Sequence, residues 1–191
     1  MMRLALSVAA VFVLAIGGGA VSVGYVLDRM PGLEGLSVGP WIAFPNRGTP
    51  GADPYSKARF SRDAELALGR AEGLAFTASV DSAGAPLRRA CDYRIEGKVP
   101  AARFWTLHPS ADGTAPSGRL REPGLHSMRI LRRDDDSFEI VASPAPQPGN
   151  WLATGGDGTM TLVLTLYDAP AVGSPDAAQL ELPLIYRTGC E

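Results

Sequence analysis

The sequence lacks the usual features of a nucleic-acid-binding protein, a metal centre or a nucleotide-binding enzyme. Its 18 basic and 20 acidic residues nearly cancel to a net charge of -2, which provides no electrostatic field to recruit nucleic acid. Only two histidines are present, His108 and His126, and their spacing matches no compact metal-ligand motif. The glycine-rich residues 155–158 are not followed by Gly-Lys-Ser/Thr, so they predict a tight turn and no phosphate site. We therefore expect no nucleic-acid partner, no metal and no other cofactor.

Charge is also missing from the beginning of the chain. After Arg3, the segment from Leu4 to Leu27 has no charged residue and is long enough to cross about 30 Å of hydrocarbon as a helix. The positive-inside rule leaves the N-terminus in the cytoplasm and the rest of the chain on the far side. The alternative is a cleaved signal peptide, because small residues at 17–20 lie where a peptidase cuts. Either way, the pattern predicts a domain outside the cytoplasm.

The chain has only two cysteines, and they suit an oxidising compartment. Cys91 lies in a predicted strand and Cys190 is the penultimate residue. A disulfide between them closes a loop of about a hundred residues, which is worth about 4 to 5 kcal/mol in the chain-entropy model. The alternative is two unpaired thiols, one in the core and one at a frayed chain end.

Three segments follow from composition and periodicity. Residues 1–30 are the predicted anchor, and residues 31–52 are interrupted so often by glycine and proline that they predict an irregular linker. Asp53 and Pro54 predict the start of one amphipathic helix, since Asp is a good N-cap and Pro suits the first helical position. The predicted domain covers residues 53–191, with this helix preceding a β-sandwich.

Short apolar runs separated by turns predict seven or eight strands and hence a mainly β domain. Asp134-Asp135-Asp136 lies between two of these runs and predicts a hairpin. Pro183 places the last strand at a sheet edge, because proline cannot donate to a strand ladder. The predicted strands are 74–80, 91–99, 103–108, 125–131, 137–142, 151–152, 160–167 and 180–187.

Several of these runs resemble the DUF1214 family, a bacterial domain of unknown function. The residues that carry the resemblance are Tyr93, Phe104-Trp105-Thr106-Leu107, Asp134 to Phe138, Asn150-Trp151-Leu152 and Leu164 to Tyr167. The resemblance extends from about Leu74 to the end of the chain, although Ala153 and Thr154 stand where prolines are usual. It implies a jelly-roll-like antiparallel sandwich and, for a short member such as this one, a membrane-associated protein. Together with the uncharged N-terminal segment, this leads us to expect a single-pass inner-membrane protein with its domain in the periplasm. It implies no catalytic residue.

Four aromatic residues are the candidates for binding a ligand. Trp105, Trp151, Tyr93 and Tyr167 suit stacking on sugar rings or lipid chains if they lie on a sandwich face, and a place in the core is the alternative. The leading functional hypothesis is a non-enzymatic envelope module that binds a protein, glycan or lipid. The alternative is a small envelope hydrolase or isomerase that uses His108 or His126 with a nearby carboxylate. Asp112 and Glu122 lie between the two histidines, so a metal site of both histidines and a carboxylate is geometrically conceivable, but we favour surface histidines in turns.

Overall fold

The computed structural model describes residues 2–29, 35–46, 49–63, 68, 72–110, 124–170 and 180–190. Two helices and ten strands lie within these ranges. The helices are α1 (Met2–Arg29) and α2 (Pro54–Asp63). The strands are β1 (Leu36–Val38), β2 (Trp41–Ala43), β3 (Gly73–Ala78), β4 (Cys91–Gly97), β5 (Phe104–Ser110), β6 (Leu125–His126), β7 (Phe138–Ser143), β8 (Trp151–Ala153), β9 (Thr161–Tyr167) and β10 (Leu184–Cys190).

The N-terminal helix α1 contains the uncharged segment. A stretch from Arg3 to Val26 is long and apolar enough to cross a membrane, with a mean hydropathy of 2.4. None of this stretch is buried against the rest of the protein. A signal sequence near the N-terminus passes the same test of length and composition.

The predicted linker contains a β-hairpin. Strands β1 and β2 pair within residues 36–43, so the prediction of an irregular linker is wrong for this part. Gly39 has a φ of +57° in the turn between the two strands, a conformation that glycine adopts without steric cost. Trp41 is completely buried, and its Nε1 donates to the carbonyl oxygen of Pro183 at 2.7 Å. The glycine that suggested a linker thus makes a tight turn, and the burial of Trp41 holds the hairpin on the domain.

Helix α2 begins where the sequence predicts. The backbone N–H of Ser56 donates to the side chain of Asp53 at 3.0 Å, the bond expected of an N-cap residue. The rest of the predicted apolar stripe, at residues 64–67 and 71, lies outside the described residues.

The strands form two sheets, which confirms the prediction of a mainly β sandwich. The six-stranded sheet has the order β1-β2-β3-β9-β5-β6, and the four-stranded sheet has the order β10-β4-β7-β8. Every ladder is antiparallel except that of β7 with β8, which is parallel and departs from the antiparallel expectation. Strand β10 lies at the edge of its sheet, as Pro183 predicts.

The hairpin predicted around Asp134 to Asp136 is wrong. Strand β6 is only two residues long and pairs with β5, whereas β7 belongs to the other sheet. The acidic residues make a turn in the connection between the sheets, where the N–H of Asp136 donates to the carbonyl of Arg133. After β6 the chain leaves the first sheet, because Ile130 packs on the core and the side-chain amide of Asn150 forms hydrogen bonds with the backbone N–H and carbonyl of Leu131.

The core lies between the inner faces of the two sheets. Alternate residues of β4, β5, β7 and β9 point inward, as the period of a strand requires. The rings of Trp105 on β5 and Phe138 on β7 are 5.3 Å apart and connect the sheets directly. The largest fully buried side chains are Trp41, Trp105, Tyr93, Phe76, Phe138, Leu87, Ile95, Leu107, Ile140, Leu152, Met160 and Leu162.

The strand register defines two ends of the sandwich. One row across the six-stranded sheet contains Leu36, Ala43, Phe76, Leu164, Leu107 and Leu125. Strand β1 therefore runs in the same direction as β5, and β6 runs in the opposite direction. We call the end at which β1, β5 and β7 begin the tether end, because α1 precedes β1. The opposite end contains Cys91 and Cys190 and is called the disulfide end.

Candidate functional site

Two of the four candidate aromatic residues are buried in the core. Trp105 is 1% exposed, and Tyr93 is not exposed at all. The hydroxyl of Tyr93 accepts a hydrogen bond from the backbone N–H of Arg88 at 2.8 Å, so its polar group has a structural partner. The proposal that these two side chains face a ligand is therefore wrong. Both are at inward positions of their strands, which excludes them from an outer face.

Trp151 lies on the outer face of the four-stranded sheet and is half-buried. The register places it in one row with Val141, Arg94 and Tyr186, each on a different strand. Its Nε1 donates to the carbonyl of Ser143 at 3.0 Å, which fixes the indole along the sheet. The row therefore has a partly exposed aromatic residue at each end.

The outer face of the six-stranded sheet contains a second aromatic group. Phe104 contacts Tyr167, with ring centroids 5.9 Å apart, and also the ring of His126 at 5.5 Å. The pairing of Thr106 with His126 puts this histidine on the same face. Both Tyr167 and Phe104 are half-buried. Tyr167, one of the four candidate aromatic residues, therefore does reach an outer face.

The two histidines lie on this same face of the six-stranded sheet. His126 is opposite Thr106, and His108 is two positions further along β5, which makes them diagonal neighbours about 7 to 8 Å apart. Nδ1 of His126 is buried without a hydrogen-bond partner among the described residues. The carboxylates suggested as partners, Asp112 and Glu122, lie outside the described residues. Within the described part of the chain, no group of three or more His, Cys, Asp or Glu is arranged to hold a metal ion.

The cysteines come together at the disulfide end. The sulfur atoms of Cys91 and Cys190 are 2.03 Å apart, a bonding distance. Nearby, Arg187 pairs with the buried Asp81 at 3.4 Å and donates to the carbonyl of Pro86. These contacts fix the last strand on the loop that precedes β4, so this end of the molecule is built for stability.

The acidic turn has an ordinary structural arrangement. The hydroxyl of Ser137, and then its backbone N–H, hold the pKa of Asp135 below its usual value by donating to the carboxylate. The carboxylate also pairs with Lys98 at 3.6 Å. A solvated, hydrogen-bonded turn explains Asp134 to Asp136 without a bound cation.

A serine motif was overlooked in reading the sequence. Residues 35–39 match the G-x-S-x-G pattern of nucleophile elbows, with Ser37 at its centre. The elbow needs a sharp turn between a strand and a helix, whereas Ser37 lies in the middle of β1 opposite Ile42. The structural context therefore argues against a nucleophilic role.

The role of Asn150 was not resolved by the sequence. Its amide Nδ2 donates to the carbonyls of Leu131 and Glu139, at 2.9 and 2.8 Å, and its Oδ1 accepts from the N–H of Leu131 at 2.7 Å. In the sequence, Asn150 stands out only as part of the Asn150-Trp151-Leu152 segment that resembles the DUF1214 family. The structure adds that the amide holds the segment around Leu131 beside β7 and β8, where it is exposed.

Comparison with known proteins finds a matching family model and similar solved structures. The model of a family described as "Protein of unknown function (DUF1214)" matches residues 72–171. The crystal structure of the VPA0106 protein from Vibrio parahaemolyticus matches with a TM-score of 0.58 and 16% identity, over 90% of this chain and 43% of that chain. A putative uncharacterized protein from Burkholderia cenocepacia matches with a TM-score of 0.46 and 16% identity, over 93% of this chain and 51% of that one. The comparison with curated proteins gave no significant match.

The first structural likeness shows a shared fold, since an identity of 16% is too low to transfer a function. This chain spans about half the length, or less, of the two solved structures it matches.

Proposed function

This chain belongs to the DUF1214 family, and we propose that it is a single-pass inner-membrane protein whose sandwich lies in the periplasm as a binding or structural module of the envelope. One observation carries the proposal: the 24-residue stretch of α1 from Arg3 to Val26 is apolar and wholly uncovered by the fold. Exposing that much apolar surface to water is unfavourable, at about 25 cal/mol per Å². A bilayer removes this cost, and the length of the stretch suits its thickness.

The cysteine pair supports the proposed compartment. Disulfides form and persist in the periplasm and outside the cell, whereas cytosolic thiols are kept reduced. Cys91 and Cys190 lie at bonding distance in the folded domain. A cleaved signal peptide and secretion are the alternative, and they place the domain in an equally oxidising compartment.

A binding or structural role agrees with how the polar side chains are used. Asn150, Asp81 and Arg187 make hydrogen bonds and ion pairs within the fold. The partly exposed candidates for contact with a partner are Trp151 and Tyr167, which reach opposite outer faces of the sandwich. An envelope protein, a glycan or a lipid is the proposed partner.

Fractionation of cells that express the intact chain tests the proposal. We expect the protein in the membrane pellet after a wash at high pH, with its N-terminal residues intact. A Val13→Arg and Leu14→Arg variant should leave the pellet, because each arginine at the helix centre costs about 2.5 to 3.5 kcal/mol on the insertion scale. A Thr188→Ala variant, which changes an exposed residue of β10, is the matched control. A wild-type chain that fractionates with cytosolic markers would contradict the proposal.

A second candidate function is a small envelope hydrolase or isomerase. It is favoured by the placement of His108 and His126 on one face, where both side chains lie near Thr106. Replacement of both histidines by alanine should then abolish complementation of a deletion strain without a loss of folded protein. Full complementation by the double variant would remove an enzyme that depends on these residues.

A further inference from the structure

The exposed apolar side chains of the sandwich are concentrated in the segment that follows β6. Met128 is 83% exposed and Leu131 is 69% exposed, whereas the next most exposed large apolar side chain of the described sandwich, Leu184, is 42% exposed. Single exposed apolar residues are normal on protein surfaces. Two highly exposed ones within four residues, with arginines at 129, 132 and 133, have the composition of a membrane-interface anchor.

The segment from Met128 to Arg133 is held rigidly in this exposed position. Ile130 packs against the core, and the Asn150 amide makes hydrogen bonds with both backbone groups of Leu131. Arg133 pairs with Glu139 at 2.7 Å. A segment fixed before binding loses less conformational entropy on contact, so its exposed side chains are prepared for a partner.

The strand register places this segment at the tether end of the sandwich, where β1 follows α1 along the chain. Strand β1 begins at the tether end, and only residues 30–35 separate it from α1. A fully extended stretch of that length spans at most about 20 Å, so the tether end stays close to the bilayer. Strand β6 ends towards the same end, because it runs antiparallel to β5, and Met128 is the second residue after it. The backbone N–H of Ser127 still donates to Trp105, the second residue of β5.

The charges of this region suit an interface in which the apolar contact dominates. Arg132 pairs with Asp136 at 2.8 Å, and Arg133 is neutralised by Glu139. Arg129 is exposed and has no ion-pair partner among the described residues, which leaves it available to a lipid phosphate. Because Arg132 and Arg133 are already paired, insertion should not require anionic lipid.

We propose that the segment Met128–Arg133 is a second membrane contact, in which Met128 and Leu131 enter the headgroup region and orient the sandwich with its tether end on the bilayer. This inference rests on the proposed membrane anchor. The disulfide end, with the turn at residues 155–158, then faces away from the membrane. The two outer faces of the sandwich stand roughly perpendicular to the bilayer and are accessible to partners.

A fluorescence experiment on the full chain tests the contact. Met128→Cys and Asp157→Cys variants, the second at the exposed turn of the disulfide end, are labelled with an environment-sensitive fluorophore under non-reducing conditions. Each is reconstituted into phosphatidylcholine nanodiscs that contain a lipid quencher near the headgroup. We expect at least about a twofold loss of emission at position 128, since interfacial side chains bury themselves at the headgroup–acyl boundary. No comparable loss is expected at position 157.

A second substitution tests the role of the apolar side chains. Leu131→Ser in the Met128→Cys background should weaken the quenching, whereas Tyr186→Ser, on the outer face of the four-stranded sheet, should leave it unchanged. Equal quenching at positions 128 and 157 in chains that co-elute with the nanodiscs would overturn the second contact and leave the anchor standing. A chain that fails to co-elute with the nanodiscs would overturn both the anchor and the contact that rests on it.

Discussion

Replacement of Cys190 by serine should destabilise the sandwich almost entirely through the unfolded state. The two cysteines are 99 residues apart, and a disulfide that closes a loop of that length stabilises the fold by about 4 to 5 kcal/mol in the chain-entropy model. Little loss of packing adds to this figure, because Cys190 is exposed and Cys91 keeps its place in the core. Strand β10 contributes only Ile185 to the buried core, so its end can fray without exposing more.

Urea unfolding of the full chain in detergent micelles measures this loss. All three tryptophans, Trp41, Trp105 and Trp151, lie in the sandwich and report its unfolding by fluorescence. We expect a lower free energy of unfolding and a larger m value, since an unfolded chain without the crosslink exposes more surface. Reduction of the wild type should produce the same change. The free energy of unfolding of the control Thr188→Ala should stay within about 0.5 kcal/mol of that of the oxidised wild type. A loss below about 1 kcal/mol in Cys190→Ser, or a wild type insensitive to reductant, would refute the reasoning.

Four further substitutions test the packing and electrostatics of the fold. Gly73→Ala should destabilise the sandwich far more than Gly84→Ala, although both glycines have a positive φ. A Cβ at Gly73 would lie 2.0 Å from the carbonyl oxygen of Leu166, whereas one at Gly84 would meet nothing within 4 Å. The urea midpoints of the two variants measure the difference. Asn150→Ala should cost about 2 to 3 kcal/mol in the same assay, since it removes three hydrogen bonds. Because its pKa is lowered in the folded state, Asp135 contributes fully to stability above the ordinary Asp pKa, and this contribution is lost as the pH falls through the lowered value. Asp135→Asn should therefore flatten the acid side of the pH–stability curve. A variant curve that runs parallel to the wild type would exclude that role.

The sequence predicted the elements in which local pattern and tertiary packing agree. Strands β4, β5 and β9 have apolar residues at alternate positions and bury that face, so their periodicity was sufficient. Pro183 correctly predicted an edge strand. Asp53 correctly marked the start of a helix, because an N-cap is a local interaction.

The errors occur where distant contacts decide the structure. The hairpin at Trp41 has many turn-forming residues, and it is held in place by a hydrogen bond to Pro183, which is 142 residues away. The segment around Leu131 has a strand-like composition. The amide of Asn150, however, forms hydrogen bonds with the backbone N–H and carbonyl of Leu131, which prevents a regular strand ladder there. The register that brings His108 and His126 to one face is likewise a product of the assembled sheet.

The proposed periplasmic location of the sandwich is tested most directly by the reaction of single added cysteines with a membrane-impermeant maleimide in intact spheroplasts. We expect Asp157→Cys, on the far side of the sandwich from the tether, to react before lysis. We expect Met2→Cys, on the cytoplasmic side of α1, to react only after lysis. If Asp157→Cys stayed unreactive until the cells were broken, the sandwich would lie in the cytoplasm and the proposed location would be wrong.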